Sequence, residues 1–123
     1  MILTPSMKAH VGMGASEERV KAEASVVEMF VTSVLSRGFT VSVHNGDEWL
    51  CKQSNTPEVI MGNIMTTDED IVQVYTASGG LIGHAQFVYS NLPSEVLADH
   101  SLRLTEYLVP VEALIQSLEN RGM

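Results

Sequence analysis

The stretch Phe39–Lys52, FTVSVHNGDEWLCK, decides how the rest of the chain is read. Phe39, Val41 and Val43 alternate with Thr40, Ser42 and His44, the two-residue period of a strand with one buried face. Asn45-Gly46 follows, the pair preferred in a two-residue type I′ turn because both central positions need positive φ. The pattern predicts a hairpin of residues 39–44 and 47–52. In that register His44 faces Asp47, Val43 faces Glu48, Ser42 faces Trp49 and Val41 faces Leu50.

Upstream, Ser16 is placed to cap a helix, with Glu17 and Glu18 in the first turn where the helix dipole favours anions. Val20, Ala24, Val27, Val31 and Val34 recur at three- and four-residue spacing, and Phe30 and Leu35 widen the stripe. Gly38 is the expected stop. Residues 1–15 hold Pro5, Gly12 and Gly14 with no period, and are expected to form a mobile arm ahead of a single domain at 16–123. Met7 offers a second start.

Downstream, Thr56-Pro57-Glu58 opens a short helix with Val59, Ile60, Ile64 and Met65 as its apolar face. TTDED, Thr66–Asp70, ends it. Ile71–Thr76 and Leu81–Tyr89 read as strands joined by Ser78-Gly79-Gly80, with Gly83 a candidate bulge. Asn91-Leu92-Pro93 breaks the sheet, and Ser94–His100 fits either a helical turn or an extended edge. Leu104, Leu108, Val111, Leu114, Ile115 and Leu118 mark a last helix over 104–120, in which Pro110 either makes a kink or begins the second half. The order is α-β-β-α-β-β-α. The expected fold is therefore a two-layer α+β domain: a long N-terminal helix, a four-stranded sheet of two hairpins with a short helix between them, and a C-terminal helix.

The chain has 123 residues, 45% of them hydrophobic, enough for one domain with about 6,500 Å² of accessible surface. One cysteine excludes an internal disulfide and a multi-cysteine metal site. The first residues lack the charged start and continuous apolar core of a signal peptide, and no apolar run spans a membrane; a cytoplasmic protein is expected. Residues 1–37 carry four basic and four acidic side chains. Residues 38–123 carry three basic and eleven acidic ones, and so hold the entire net charge of −8. That charge repels bare nucleic acid and anionic membranes and suits basic proteins, including nucleic-acid-binding ones. It also serves solubility alone.

FTVSVHNGDEW, TTDEDIVQVY and VYSN together resemble a group of small accessory proteins encoded by tailed bacteriophages and prophages. Asn45, Gly46, Glu48 and Trp49 stand at the family's turn, Thr67–Asp70 at its TDED and Val88–Asn91 at its strand end. The resemblance covers most of residues 28–119 and departs at Ser90, where a glycine is expected. It implies a phage accessory protein acting in the host cytoplasm, and says nothing about catalytic residues.

Several residues invite a chemical reading. His44, Asp47 and Cys51 could share a metal or form a small catalytic site, but in the expected register Cys51 lies two pairs away from the other two. Nothing lowers the Cys51 pKa: no helix start precedes it, and only Lys52 is cationic nearby. Asp68, Glu69 and Asp70 lack the spacing, glycine and distal Glu of a calcium loop, and ASGGLIG lacks the lysine and helix of a phosphate loop. No cofactor, metal or catalytic residue is expected. Trp49 is by default a core anchor; as a partner contact it would have to be exposed beside the acidic turn.

The expected function is binding: an acidic modulator or inhibitor of a host or phage protein, contacting it through Asp47, Glu48, Trp49, Asp68, Glu69 and Asp70. The first alternative is a structural or assembly homodimer formed through the terminal helices. The second is a small enzyme using His44, Asp47 and Cys51. The strand and helix lengths also predict that Asp47 and Glu48 lie at the same end of the sheet as Asp68–Asp70.

Overall fold

A computed structural model describes residues 2–89 and 92–123. Its accessible surface is 6240 Å². The described elements are α1 (Pro5–Gly12), α2 (Glu17–Leu35), β1 (Thr40–His44), β2 (Trp49–Ser54), α3 (Pro57–Gly62), β3 (Glu69–Tyr75), β4 (Leu81–Val88), β5 (Leu97–His100) and α4 (Val109–Asn120). Short 3₁₀ segments cover Pro93–Glu95 and Leu102–Leu108. The fold is α+β, with one antiparallel sheet in the order β2-β1-β3-β4-β5.

The expected stripe makes α2. Val20, Ala24, Val27, Phe30, Val31 and Val34 are all buried. Ser16 Oγ caps the helix by accepting from the Arg19 N–H at 3.1 Å, and Gly38 ends the turn at φ +80°. The stripe lies on the sheet face that carries Val41, Val43, Val72, Val74, Ala85 and Phe87, with the Phe30 and Phe87 rings 5.6 Å apart. Ile60 from α3 and Val111 and Leu118 from α4 join the same core. Along β3 each buried residue alternates with a half-buried one, so Ile71, Gln73 and Tyr75 point to the opposite face.

Three expectations are corrected. The sheet has five strands rather than four, because Leu97–His100 pairs with β4 (Ala85↔His100, Gln86↔Asp99, Phe87↔Leu97). Four residues at an edge give too short a pattern to be read as a strand. The segment expected to be an arm carries α1, which Thr4 caps and Pro5 starts; Met7 is 1% exposed and belongs to the core.

The third correction concerns the first hairpin. His44 pairs with Trp49, Val43 with Cys51 and Val41 with Ser54, with irregularities between them. Asn45 does not adopt positive φ; Gly46 does, at +98°. The turn's central pair is thus Gly46-Asp47, closed by the Asn45 N–H donating to Glu48 O at 3.1 Å. Asn45 is drawn back because its side chain and carbonyl are engaged elsewhere. Its Oδ1 accepts from the N–H groups of Asp47 and Glu48, its Nδ2 donates to Thr66 Oγ1 at 3.1 Å, and its carbonyl accepts from Thr67 Oγ1 at 2.7 Å.

The last helix follows expectation. Pro110 lies in the first turn of α4, where a missing N–H costs nothing, and the 3₁₀ segment runs into it. Gly83 adjoins an irregularity, since Val74 pairs with Gly83 but Tyr75 with Leu81. Asn91 and Ser90, expected at the sheet break and the family's strand end, lie outside the described residues.

Candidate functional site

The bonds from Asn45 to Thr66 and Thr67 tie the first turn to the loop that leads into β3. They place Asp47, Glu48, Asp68 and Glu69 at one end of the sheet, as the strand lengths predicted. Glu69 Oε1 comes so close to the turn that a Cβ on Gly46 would lie 3.0 Å from it. Its other oxygen accepts from Gln86 Nε2 at 3.0 Å. Asp47, Glu48 and Asp68 are exposed, and Glu69 is half-buried.

Trp49 is not a core anchor. It is 40% exposed and packs edge-on against the His44 ring, with centroids 4.8 Å apart and planes 77° apart. His44 Nδ1 accepts from the Gly46 N–H at 3.0 Å, which holds the imidazole against the turn. An aromatic pair therefore stands beside four acids.

Asp70 does not belong to that surface. The β3 alternation puts it in phase with Val72 and Val74, and it is fully buried. Its Oδ2 accepts from the Met65 N–H at 2.8 Å and from the Tyr89 hydroxyl at 2.7 Å, while its Oδ1 has no hydrogen-bond partner among the described residues. Burial raises the Asp70 pKa from 3.8 to about 6, against the lowering effect of the bonds from Met65 and Tyr89 and of the nearby His10. Burial, then the Asp70 charge, push the Tyr89 hydroxyl well above its ordinary value, so Tyr89 remains a donor.

Sequence reading missed this cluster. Met65 sits at its centre with φ +61°, in the left-handed region that non-glycine residues rarely adopt. Its carbonyl is hydrogen-bonded by His10 Nε2 at 2.8 Å. The His10 ring stands nearly perpendicular to that of Tyr89 at 6.1 Å. Arg19 Nε donates to the buried Glu23 Oε1 at 3.2 Å. Between α1 and the segment 65–68 lies an open cavity of about 690 Å³, lined by Pro5, Ala9, His10, Arg19, Met65 and Asp68 among others.

The His44, Asp47 and Cys51 constellation does not assemble. Cys51 stands opposite Val43 and packs on the core, whereas His44 pairs with Trp49 on the other face. Burial raises the Cys51 pKa, which works against a reactive thiolate. Among the described residues no group of three or more His, Cys, Asp or Glu could hold a metal, and no helix is long and apolar enough to cross a membrane. No family model, curated protein or solved structure matches this chain.

Proposed function

We propose that this protein acts by binding rather than catalysis, as a phage-encoded accessory protein in the host cytoplasm that modulates or inhibits a host or phage protein. The phage assignment rests on the resemblance of its turn and strand motifs. The binding assignment rests on one observation: exposed Trp49, braced by His44, stands beside Asp47, Glu48, Asp68 and Glu69 at one end of the sheet. Interfaces draw their energy from a few aromatic anchors, and a ring of like charge steers a partner of opposite sign. The partner class is a basic protein surface, such as that of a nucleic-acid-binding protein, with no direct contact to nucleic acid. Asp70 is removed from the contact set because it is buried.

The test is capture from bacterial extract by two immobilised forms. One is the wild type; the other carries Trp49→Ala, Asp47→Asn, Glu48→Gln, Asp68→Asn and Glu69→Gln. A basic protein, identified by mass spectrometry, retained by the wild type and lost both with the variant and in high salt is expected. Equal retention by both forms, without salt dependence, refutes the reading.

A second reading, an assembly homodimer, is favoured by Leu102 and Val109, which bracket the 3₁₀ segment before α4 at 87% and 66% exposure. Sedimentation equilibrium decides it: a monomer at high micromolar concentration excludes this role.

A further inference from the structure

We propose that α1 is a pH-responsive clasp, seated when Asp70 is protonated and released when Asp70 is charged. Three features of the geometry carry this.

First, α1 is fastened at few points. Met7 is its one fully buried side chain, Val11 is partly buried, and His10 bonds the Met65 carbonyl. Beside that bond an open cavity of about 690 Å³ is lined by both α1 and residues 65–68. Second, α1 closes on a single left-handed glycine, with the Gly14 N–H on Val11 O and the Ala15 N–H on His10 O. Gly14 at φ +107° links α1 to the cap of α2. Third, its fastening runs directly into a buried acid. His10 holds Met65 O, Met65 N–H is held by Asp70 Oδ2, and the same oxygen takes the Tyr89 hydroxyl on which His10 packs.

Lifting α1 removes His10 from both Met65 and Tyr89, the two groups that hydrogen-bond Asp70. Opening then lets water reach Oδ1, the oxygen without a partner among the described residues. A protonated Asp70 gains little from this and a carboxylate gains much, so charge on Asp70 favours opening. The other ionisable groups around it pull in both directions. His10 on α1 favours the carboxylate; Glu69 on β3 opposes it. Cys51 on β2 faces it as a neutral thiol, and Tyr89 as a neutral donor. On α2, Glu23 acts on Tyr89 and is paired with Arg19.

If opening returns Asp70 from about 6 to 3.8, the opening equilibrium rises up to about thirtyfold between pH 4.5 and 7.5 and levels off above pH 6. Hydrogen exchange of the helix-bonded amides of residues 8–12, corrected for intrinsic exchange, reads this directly. The expected result is that rise in α1 while α2 amides stay closed, and its loss in Asp70→Asn. Opening of α1 that is flat with pH overturns the clasp, as does a rise that persists in Asp70→Asn. If Asp70→Asn does not fold, the Asp70 carboxyl carbon is titrated by NMR in the wild type. The plateau of α1 opening must then begin at the Asp70 midpoint, and a plateau displaced by more than a pH unit overturns the proposal.

Discussion

Asp70 makes the global stability of this protein fall as pH rises through the weakly acidic range. Its pKa is about 6 in the folded protein and 3.8 without burial. Between those values the folded state binds more protons than the unfolded one, so stability decreases with pH. The cost is absent below pH 3.8 and complete above about 6. The 2.2-unit difference (6 − 3.8) corresponds to about 3 kcal/mol, of which about 2 kcal/mol falls between pH 4.5 and 7.5. Asp70→Asn keeps the shape and an acceptor for Met65 and Tyr89, and removes the charge. Urea denaturation of both proteins across this range isolates the effect, because the remaining carboxylates cancel in the difference. The wild type is expected to lose about 2 kcal/mol relative to the variant on going from pH 4.5 to 7.5. Parallel curves would refute the assignment of a buried, proton-retaining Asp70. A wild type that gains on the variant as pH rises would show the carboxylate to be satisfied by partners, and would equally refute it.

Gly83→Ala is expected to cost about 1–3 kcal/mol in urea unfolding, since its Cβ would lie 2.7 Å from Ser101 Cβ and 2.8 Å from Ser101 Oγ. That hydroxyl accepts from the His84 N–H at 3.0 Å, so it cannot retreat freely; unchanged stability would show that this edge yields. Gly46→Val forces a β-branched residue to φ +98° against Glu69 and is expected to cost about 1–2 kcal/mol or more, read as a lower melting midpoint. Cys51 in native protein is expected to react with iodoacetamide at neutral pH far more slowly than in urea; equal rates would contradict its raised pKa and partial burial.

Elements that bury a long periodic face were legible in the sequence. The α2 stripe runs through nineteen residues with a serine cap and a glycine stop, so local and tertiary preferences agree. The hairpin was legible and its register was not. Asn-Gly states a local preference, whereas Asn45 is claimed by Thr66 and Thr67, twenty-one and twenty-two residues away. Trp49 is a different case: Ser42, its expected partner, and His44, its actual one, share the open face, so the alternation already pointed it away from the core and the default for a lone tryptophan overrode that signal. α1 had a readable start in Thr4-Pro5 but only eight residues, too few to show a period when one side chain is buried.

Asp70 is different, because a signal for its burial was present. In Glu69–Tyr75, EDIVQVY, residues 70, 72 and 74 share a face, and two of them are valines. Starting the strand at Ile71 and reading TTDED as one solvated run detached the aspartate from its own alternation. The β4 pattern carries the matching signal, since Ala85 and Phe87 are in phase with Tyr89 one step beyond the strand. An acid and a tyrosine at the ends of two neighbouring core-facing rows are brought together by antiparallel pairing, Asp70 standing opposite Phe87. Burial then obliges the carboxyl to find donors, and Tyr89 is the polar group the neighbouring row supplies. The Met65 N–H and the seat of His10 depend on a left-handed backbone that no local preference requests, so that half of the cluster exists only in the folded chain.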